Sequence, residues 1–369
     1  MSSLVDNVQE TLLMGPGPSS VPPEVYSAIS QKSIGHLDPR FIEIMDAIKE
    51  QLRTVMGTRN NVTIPMSGTG SAGMETVMVN LIEPGDNVLI LINGVFGGRM
   101  REVATRLRAQ VDALEFEWGT PVVPEEVEAA LDKKRYKIVA VVHAETSTGV
   151  ANPVARIGEL VKGHGALFVV DAVTSLGGIP VSVDEWGIDA LYSGTQKCLS
   201  CPPGLSPVTI SDRAADVVRN RSAKVPNWYL DLTLLMNYWE GSTRAYHHTA
   251  PINMNYALYA ALKVVLDEGL DAVWRRHAQT HEYLVERLGE LGFTMLVDKP
   301  HRLPMLNAVE IPGGIDEKAI RGRLLTEHRI EIGGGLGALA GKVWRVGLMG
   351  HTARKASVDR LVDALKAIL

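Results

Sequence analysis

Short runs of apolar residues alternate with amphipathic segments through the middle of the chain. The apolar runs cover residues 62–66, 87–92, 138–142, 166–170, 190–192 and 207–210. Apolar residues at helical spacing mark several segments between them, namely residues 98–109, 124–131 and 155–164. This alternation predicts an α/β fold with a mostly parallel sheet covered by helices on both faces. Ligands bind at the carboxyl ends of strands in such sheets, so the residues after each run are the candidates for chemistry.

The beginning of the chain predicts a strap followed by one long helix. Residues 14–23 are too rich in Pro and Gly for regular structure and are expected to form an extended strap or turn. Asp38 then supplies an N-cap, and Pro39 occupies the first helical position. Apolar residues recur at helical spacing from Phe41 to Met56 until Gly57 ends the pattern.

The C-terminal part of the chain has a different pattern of predicted helices and strands. After a long helical pattern from about residue 256, the sequence predicts helices at residues 274–288, 318–327 and 357–369, and strands at 307–311 and 343–347. This mixture predicts a second, smaller α+β domain. The expected division is therefore an N-terminal arm (1–20), a large domain (21–266) and a small C-terminal domain (267–369).

Composition and charge narrow the classes of function. With 369 residues, 46% hydrophobic and 21% charged, the chain can bury a large core. The formal net charge of −5 and the scattered Lys and Arg argue against nucleic acid as a partner. Residues 1–14 lack the features of a signal peptide, and no apolar run approaches the roughly 20 residues that span a bilayer. We therefore expect a cytoplasmic protein with no membrane segment.

The two cysteines, Cys198 and Cys201, have C-x-x-C spacing, which suggests a redox or metal pair. No second Cys pair or His cluster completes a zinc site, so no metal is expected. Pro202-Pro203 would break the helix that follows a thioredoxin-like motif. Reduced cysteines that serve packing are the favoured interpretation.

A glycine-rich turn follows the first apolar run and opens a helix predicted at residues 74–82. The turn, Gly68-Thr-Gly-Ser-Ala-Gly73, aims backbone N–H groups and a helix dipole at an anion, which predicts a phosphate site. A dinucleotide would need an acidic residue at the end of the next strand, but Asp86 precedes that strand and Asn93-Gly94 ends it. A single phosphate on a smaller cofactor fits better, and a tight turn without a ligand is the alternative.

Two charged residues follow later strands. Asp171 closes an apolar run, where an unpaired carboxylate is costly, so it needs a cationic partner. The protonated pyridine nitrogen of pyridoxal 5′-phosphate (PLP) would serve, while capping of the next turn is the simpler role for an isolated Asp. Lys197 could form an imine with a carbonyl and act as a proton shuttle. The order of glycine turn, strand-end Asp and Lys197 favours a PLP enzyme over a nicotinamide-dependent oxidoreductase.

With these motifs the chain resembles the class V aminotransferases among the fold-type I PLP enzymes, in particular their alanine–glyoxylate and serine–pyruvate branch. The resemblance covers nearly the whole chain and implies a seven-stranded sheet in the large domain. Its motifs are Met14-Gly-Pro-Gly-Pro-Ser, Ser67-Gly-Thr-Gly, Glu83-Pro-Gly-Asp, His143-Ala-Glu-Thr-Ser-Thr-Gly149, Val170-Asp-Ala-Val-Thr-Ser-Leu-Gly-Gly178, Tyr192-Ser-Gly-Thr-Gln-Lys197, Cys201-Pro-Pro-Gly204, Tyr246-His-His-Thr249, Gly333-Gly-Gly-Leu-Gly337 and Trp344-Arg-Val-Gly-Leu-Met-Gly350.

The resemblance implies a role for each candidate site residue. It makes Lys197 the Schiff-base lysine and Asp171 the partner of the pyridine nitrogen, which agrees with the physical argument. Phe96 would stack on the cofactor ring, where relatives usually carry Trp. Other implied contacts are Thr69, Gly70, Ser71 and Gln196 at the phosphate, Thr146 at the ring oxygen, Tyr246 and Thr249 from the second subunit of a homodimer, and Arg345 at the substrate carboxylate. Ser71 departs from the animal relatives, which carry His.

The implied activity is PLP-dependent transamination by a ping-pong cycle. The substrates would be a small amino acid, L-alanine or L-serine, and a 2-oxo acid, glyoxylate or pyruvate. A kynurenine-type transaminase uses the same framework and stays open as an alternative donor specificity.

Overall fold

The computed structural model describes residues 4–240 and 244–369, and its helices and strands follow the predicted alternation. The helices are α1 (Pro23–Ile29), α2 (Pro39–Met56), α3 (Gly70–Leu81), α4 (Val95–Arg106), α5 (Pro124–Lys133), α6 (Val154–His164), α7 (Asp212–Arg219), α8 (Leu232–Trp239), α9 (Ile252–Glu268), α10 (Leu270–Gly289), α11 (Glu317–His328) and α12 (Lys355–Ile368). The strands are β1 (Leu12–Leu13), β2 (Val62–Ser67), β3 (Asn87–Ile92), β4 (Gln110–Glu115), β5 (Ile138–Val142), β6 (Ala144–Glu145), β7 (Val150–Ala151), β8 (Leu167–Asp171), β9 (Ala190–Tyr192), β10 (Leu205–Ile210), β11 (Leu306–Glu310), β12 (Ile330–Glu331), β13 (Gly333–Gly334) and β14 (Val343–Gly347).

A seven-stranded sheet in the order β2-β10-β9-β8-β5-β3-β4 forms the centre of the molecule. Strand β10 is antiparallel to both of its neighbours, whereas the other strand pairs run parallel. The predicted mostly parallel sheet is therefore confirmed. The carboxyl ends of β2, β3, β5, β8 and β9 meet at one edge, which is where ligands bind in such sheets.

Strand β4 is the one member of this sheet that the hydrophobic pattern did not predict. It lies at the edge of the sheet beside β3, and its residues alternate between exposed and half-buried positions. A strand buried on both faces reads as a continuous apolar run, but an edge strand does not need one. Strand β4 therefore has no continuous apolar run that would mark it in the sequence.

Helices cover both faces of the sheet. One apolar core joins the sheet to α3, α4, α7 and α8, and a second core joins the opposite face to α5, α6 and α9. Neighbouring residues of one strand enter different cores, as Ile90 and Leu91 of β3 do. This is the alternation expected of a buried parallel strand, and it confirms the α/β layering.

Helix α2 begins and ends where the sequence predicted. The Asp38 carboxylate accepts a hydrogen bond of 2.8 Å from the backbone N–H of Arg40, and Pro39 is the first helical residue. Gly57 ends the helix with φ 61° and ψ 51°, a left-handed conformation that glycine adopts at low cost.

The strap and the residues just before it contain more regular structure than predicted. Strand β1, directly before the strap, pairs in parallel with β12, which lies more than 300 residues later. At the other end of the strap, Pro23 begins helix α1, so the expectation that residues 21–23 are irregular was wrong there. Proline at the first helical position loses no hydrogen bond and has a suitable φ, which explains a helix directly after Val21-Pro22.

The C-terminal part has its own sheet and core. Strands β11, β14 and β13 form an antiparallel sheet, and α10, α11 and α12 pack with it around a separate apolar core that includes Met14 of the strap. This arrangement confirms a smaller α+β unit after the large sheet, although its predicted first residue, 267, stays a prediction. Within residues 4–240 and 244–369, no helix combines the length and apolar character that crossing a bilayer requires.

Candidate active site

The glycine turn after β2 leads directly into the start of helix α3. Thr69 is the N-cap of α3, and the helix begins at Gly70, earlier than the predicted residue 74. The backbone N–H groups of Gly70 and Ser71 have no acceptor among the residues that the structure describes. Gly73 must be glycine, because a Cβ there would lie 2.0 Å from Ser206 Oγ. Free N–H groups at a helix start suit a phosphate.

Asp171 is the last residue of β8, and its carboxylate is buried with a hydrogen bond to each oxygen. Oδ1 accepts from the Val173 N–H at 2.8 Å, and Oδ2 accepts from the Tyr192 hydroxyl at 2.8 Å. Burial raises the pKa of Asp171 to about 6, although both hydrogen bonds and the charges of Lys197 and Arg99 oppose this rise. The carboxylate is therefore a buried anion whose ionised form a cation would stabilise.

Lys197 lies in the loop after β9 and is nearly buried, with 9% of its surface exposed. Its Nζ donates a hydrogen bond to the Pro16 carbonyl in the strap. Ser19, also in the strap, donates its hydroxyl to the Lys197 carbonyl at 2.7 Å. Burial, together with the charge of Arg345, lowers the pKa of Lys197 to about 8. About a tenth of this amine is therefore uncharged, and nucleophilic, at about pH 7.

Most of the predicted site residues line one cavity at the carboxyl edge of the sheet. The structure brings together Thr69, Gly70, Ser71, Phe96, Thr146, Asp171, Gln196 and Lys197 around it. They come from the end of β8 and from the segments that follow other strands, so the edge of the sheet assembles residues that are far apart in sequence. Gln196 Oε1 is buried there without a hydrogen-bond partner among the described residues.

Arg345 reaches the same region from β14 of the C-terminal part. Its Nε donates to the Gly334 carbonyl at 2.7 Å, and its Nη1 donates to the Thr146 carbonyl at 3.3 Å. No carboxylate forms an ion pair with it in the part of the chain that the structure describes. The Nη2 side of the guanidinium is therefore free to pair with a carboxylate beside the cavity.

Tyr246 and Thr249 do not reach this cavity within the protomer. They lie in the loop between α8 and α9, where Tyr246 is 61% exposed and its ring packs 5.0 Å from the ring of His36. Thr249 is also exposed. Their expected contact with the phosphate of a second subunit stays a prediction.

Comparison with known proteins places the chain in a family. The family model described as aminotransferase class-V matches residues 12–361. The chain is a class V aminotransferase. It is 41% identical to a (S)-ureidoglycine–glyoxylate transaminase from Bacillus subtilis over 97% of this chain and 90% of that protein. It is 40% identical to the alanine–glyoxylate aminotransferase of Rattus norvegicus over 98% of this chain and 88% of that protein.

A solved structure agrees with this membership. The crystal structure of an alanine–glyoxylate aminotransferase from Nostoc sp. superposes with a TM-score of 0.97 at 51% identity, covering 100% of this chain and 97% of that one. The fold is therefore that of the fold-type I PLP enzymes, as the sequence resemblance implied, and PLP is the cofactor of this aminotransferase.

Glu145 is a residue of the aminotransferase that the sequence argument overlooked. Its carboxylate is completely buried behind the cavity. Oε1 accepts from the N–H (3.0 Å) and the hydroxyl (2.5 Å) of Ser147, and Oε2 accepts from the N–H groups of Phe96 (3.2 Å) and Gly97 (3.4 Å). Burial raises its pKa. Glu145 thus fixes the start of α4, which carries Phe96 at the cavity wall.

Arg99 and Tyr192 were also missed. Arg99 lines the cavity one helical turn after Phe96, and its guanidinium lies 5.0 Å from the centre of that ring. The helical spacing from Phe96 could have indicated it. Tyr192 stands at the end of β9, and only the pairing of β9 with β8 reveals that it contacts Asp171.

The two cysteines of the aminotransferase are free, buried thiols. Cys198 donates to the Thr174 carbonyl at 3.2 Å. Burial raises the pKa of each thiol to about 12, so neither forms a thiolate at physiological pH. Both properties agree with the packing role that the sequence favoured.

Proposed function

We propose that this aminotransferase transfers the amino group of a small amino acid, with L-alanine the first choice and L-serine the second, to glyoxylate or pyruvate. The observation that carries the proposal is that Lys197 and Asp171 line one cavity, while Arg345 donates a hydrogen bond to the backbone carbonyl of Thr146 in the wall of that cavity. Lysine, buried carboxylate and guanidinium fork are the groups that a PLP-dependent reaction of an α-amino acid requires.

The residues of the cavity fit PLP at each of its polar ends. The free N–H groups of Gly70 and Ser71 suit the phosphate, and Gln196 supplies a buried amide next to them. Asp171 offers its carboxylate to the pyridine nitrogen, and Lys197 offers an amine to the aldehyde. Phe96 and Val173 supply apolar surface for the ring.

When bound, PLP supplies an electron sink that stabilises negative charge on the substrate α-carbon. Lys197 Nζ, once released from the cofactor, takes the proton from that carbon as a general base. Arg345 holds the substrate carboxylate in a bidentate pair, which fixes the α-carbon within reach of Lys197. Asp171 would hold the pyridine nitrogen of PLP, and its negative charge would favour the protonated form of that nitrogen.

Relatives leave more than one candidate for the amino donor. Glyoxylate appears in the names of both the alanine-specific relatives and the ureidoglycine-specific one, which supports it as the acceptor. The 41% identity to the ureidoglycine–glyoxylate transaminase makes (S)-ureidoglycine a further donor to test after L-alanine and L-serine. L-kynurenine follows it, because the same framework serves that specificity.

The proposal includes a homodimer with a shared active site. Tyr246 and Thr249 lie away from the cavity of their own protomer, so each would serve the phosphate of the partner. Replacing Tyr246 with Ala should weaken PLP binding, and mixing this variant with Lys197→Ala should restore one intact site per mixed dimer. A monomer that turns over as fast as the bulk enzyme would remove this part of the proposal.

The experiment is a pair of half-reactions followed by absorption. The protein as purified is recorded before and after L-alanine, and again after glyoxylate. We expect the visible band of lysine-bound PLP to be replaced by the near-ultraviolet band of the aminated cofactor and then to return. L-serine, (S)-ureidoglycine and L-kynurenine replace L-alanine in parallel samples, and Lys197→Ala is the control. PLP-loaded protein whose band none of these amines changes would contradict the proposal.

A further inference from the structure

The buried hydroxyl of Tyr192 holds one oxygen of Asp171, and the reaction outlined above gives this tyrosine no role. Strands β8 and β9 pair in parallel with Asp171 opposite Tyr192, so both side chains stand on the same face of the sheet. The hydroxyl donates to Oδ2 at 2.8 Å, and both residues are shielded from solvent.

The surroundings of Tyr192 hold its backbone and Cβ in place. Tyr192 is completely buried. It packs closely against helix α3, because a Cβ added to Gly73 would lie 3.1 Å from the Cβ of Tyr192. The backbone carbonyl of Tyr192 accepts from the Ala172 N–H at 2.9 Å, which ties it to the residue after Asp171. Because burial raises its pKa well above the usual value, the hydroxyl keeps its proton and stays a donor.

We propose that Tyr192 is a positioning residue that keeps Asp171 ionised and directs its free lone pairs towards the pyridine nitrogen of PLP. The inference rests on the role proposed above for Asp171. Each carboxylate oxygen accepts one protein hydrogen bond, from Tyr192 or from Val173, and retains a second lone pair for the cofactor.

The charged groups around Asp171 make this donor necessary. Lys197 and Arg99 favour its ionised form, while burial and the nearby Glu145 oppose it. Val173 and Tyr192 are the only donors that hydrogen-bond to the Asp171 carboxylate among the described residues.

The test compares two cofactors that differ only at the pyridine nitrogen. Apoprotein is titrated with PLP and with its deaza analogue, in which a C–H replaces the ring nitrogen, and both dissociation constants are measured between about pH 6 and about pH 8. The variant is Tyr192→Phe, which removes only the hydroxyl. Both compounds use the same lysine and phosphate contacts, so the ratio of their dissociation constants measures the contribution of the ring nitrogen to binding.

A matched control exists elsewhere in the chain. Tyr136 also donates its hydroxyl to an aspartate, Asp112, at 2.7 Å, but it lies outside the cavity. Tyr136→Phe therefore removes a similar hydrogen bond without touching the proposed site.

We expect wild type and Tyr136→Phe to prefer PLP over the deaza analogue, and Tyr192→Phe to lose about tenfold or more of that preference. The loss should be largest at the low end of the pH range, where Asp171 without its donor is protonated. Equal weakening of both compounds would assign Tyr192 a merely structural role and overturn the inference, as would an unchanged ratio. A wild-type protein with no preference would instead refute the role of Asp171.

Discussion

Replacing Asp171 with Asn should make the PLP-free protein more stable against unfolding. The same substitution should abolish transamination by the PLP-loaded protein. Asparagine has the same shape, its oxygen can accept from the Val173 N–H, and its NH2 can donate to the Tyr192 hydroxyl, which also accepts. The substitution therefore removes the buried charge and leaves both hydrogen bonds satisfied. It also removes the carboxylate that we propose as the partner of the pyridine nitrogen.

The magnitude follows from the pKa of Asp171, which burial raises from 3.8 to about 6 in the folded protein. A raised carboxyl pKa gives stability that is fully present below about pH 3.8 and is lost as the pH rises through about 6. The full loss is about 3 kcal/mol, at about 1.4 kcal/mol for each pH unit. The advantage of Asp171→Asn should accordingly be about 1.6 kcal/mol at about pH 5 and about 3 kcal/mol at about pH 8.

Urea unfolding of PLP-free wild type and variant across this pH range measures the difference. Asp112→Asn is the control, because Lys134 and Tyr136 lower the pKa of Asp112, so its replacement should give no gain at high pH. Saturating PLP should make wild type the more stable of the two proteins, since only wild type gains the full free energy of PLP binding. If Asp171→Asn is no more stable than wild type, or if its gain in stability is the same at low and high pH, the electrostatic argument is refuted.

Four further outcomes follow from the site. Borohydride treatment should attach the cofactor covalently to wild type but not to Lys197→Ala, as an intact mass measurement would show. The rate at which apoprotein incorporates PLP should rise through about pH 8, where Lys197 loses its proton, and a flat profile would contradict this pKa. Arg345→Lys should raise the KM for L-alanine about tenfold or more with unchanged PLP affinity, because a bidentate pair is lost; equal KM values would exclude Arg345 as the carboxylate site. Glu145→Gln should cost about 1–3 kcal/mol in urea unfolding, since its amide nitrogen would face N–H donors, and an unchanged midpoint would show that the carboxylate is dispensable.

The sequence was sufficient to predict six of the seven strands of the sheet and several residues at their ends. Asp171 directly follows a buried apolar run and Lys197 lies in the loop after another, and such residues lie at the carboxyl edge of a parallel sheet. The turn at Gly68 could be recognised because its glycines open a helix. These arguments depend only on local pattern, and the structure brings all three features to one cavity.

Contacts that depend on register between strands could not be predicted in this way. Tyr192 looks like an ordinary core residue until β9 is paired with β8, and Glu145 is recognisable only once α4 is placed over it. Strand β4 has no continuous apolar run because it needs burial on fewer sides. Tyr246 and Thr249 need a second subunit, which one chain does not contain.

The strap has a mechanical consequence. Strand β1 (Leu12–Leu13), directly before the strap, pairs with β12 (Ile330–Glu331) in the C-terminal part. Ser19, within the strap, donates a hydrogen bond to the backbone carbonyl of Lys197. This short segment therefore joins the C-terminal part directly to the lysine loop. A displacement of the C-terminal part would have to stretch or break the hydrogen bonds at one of its two ends.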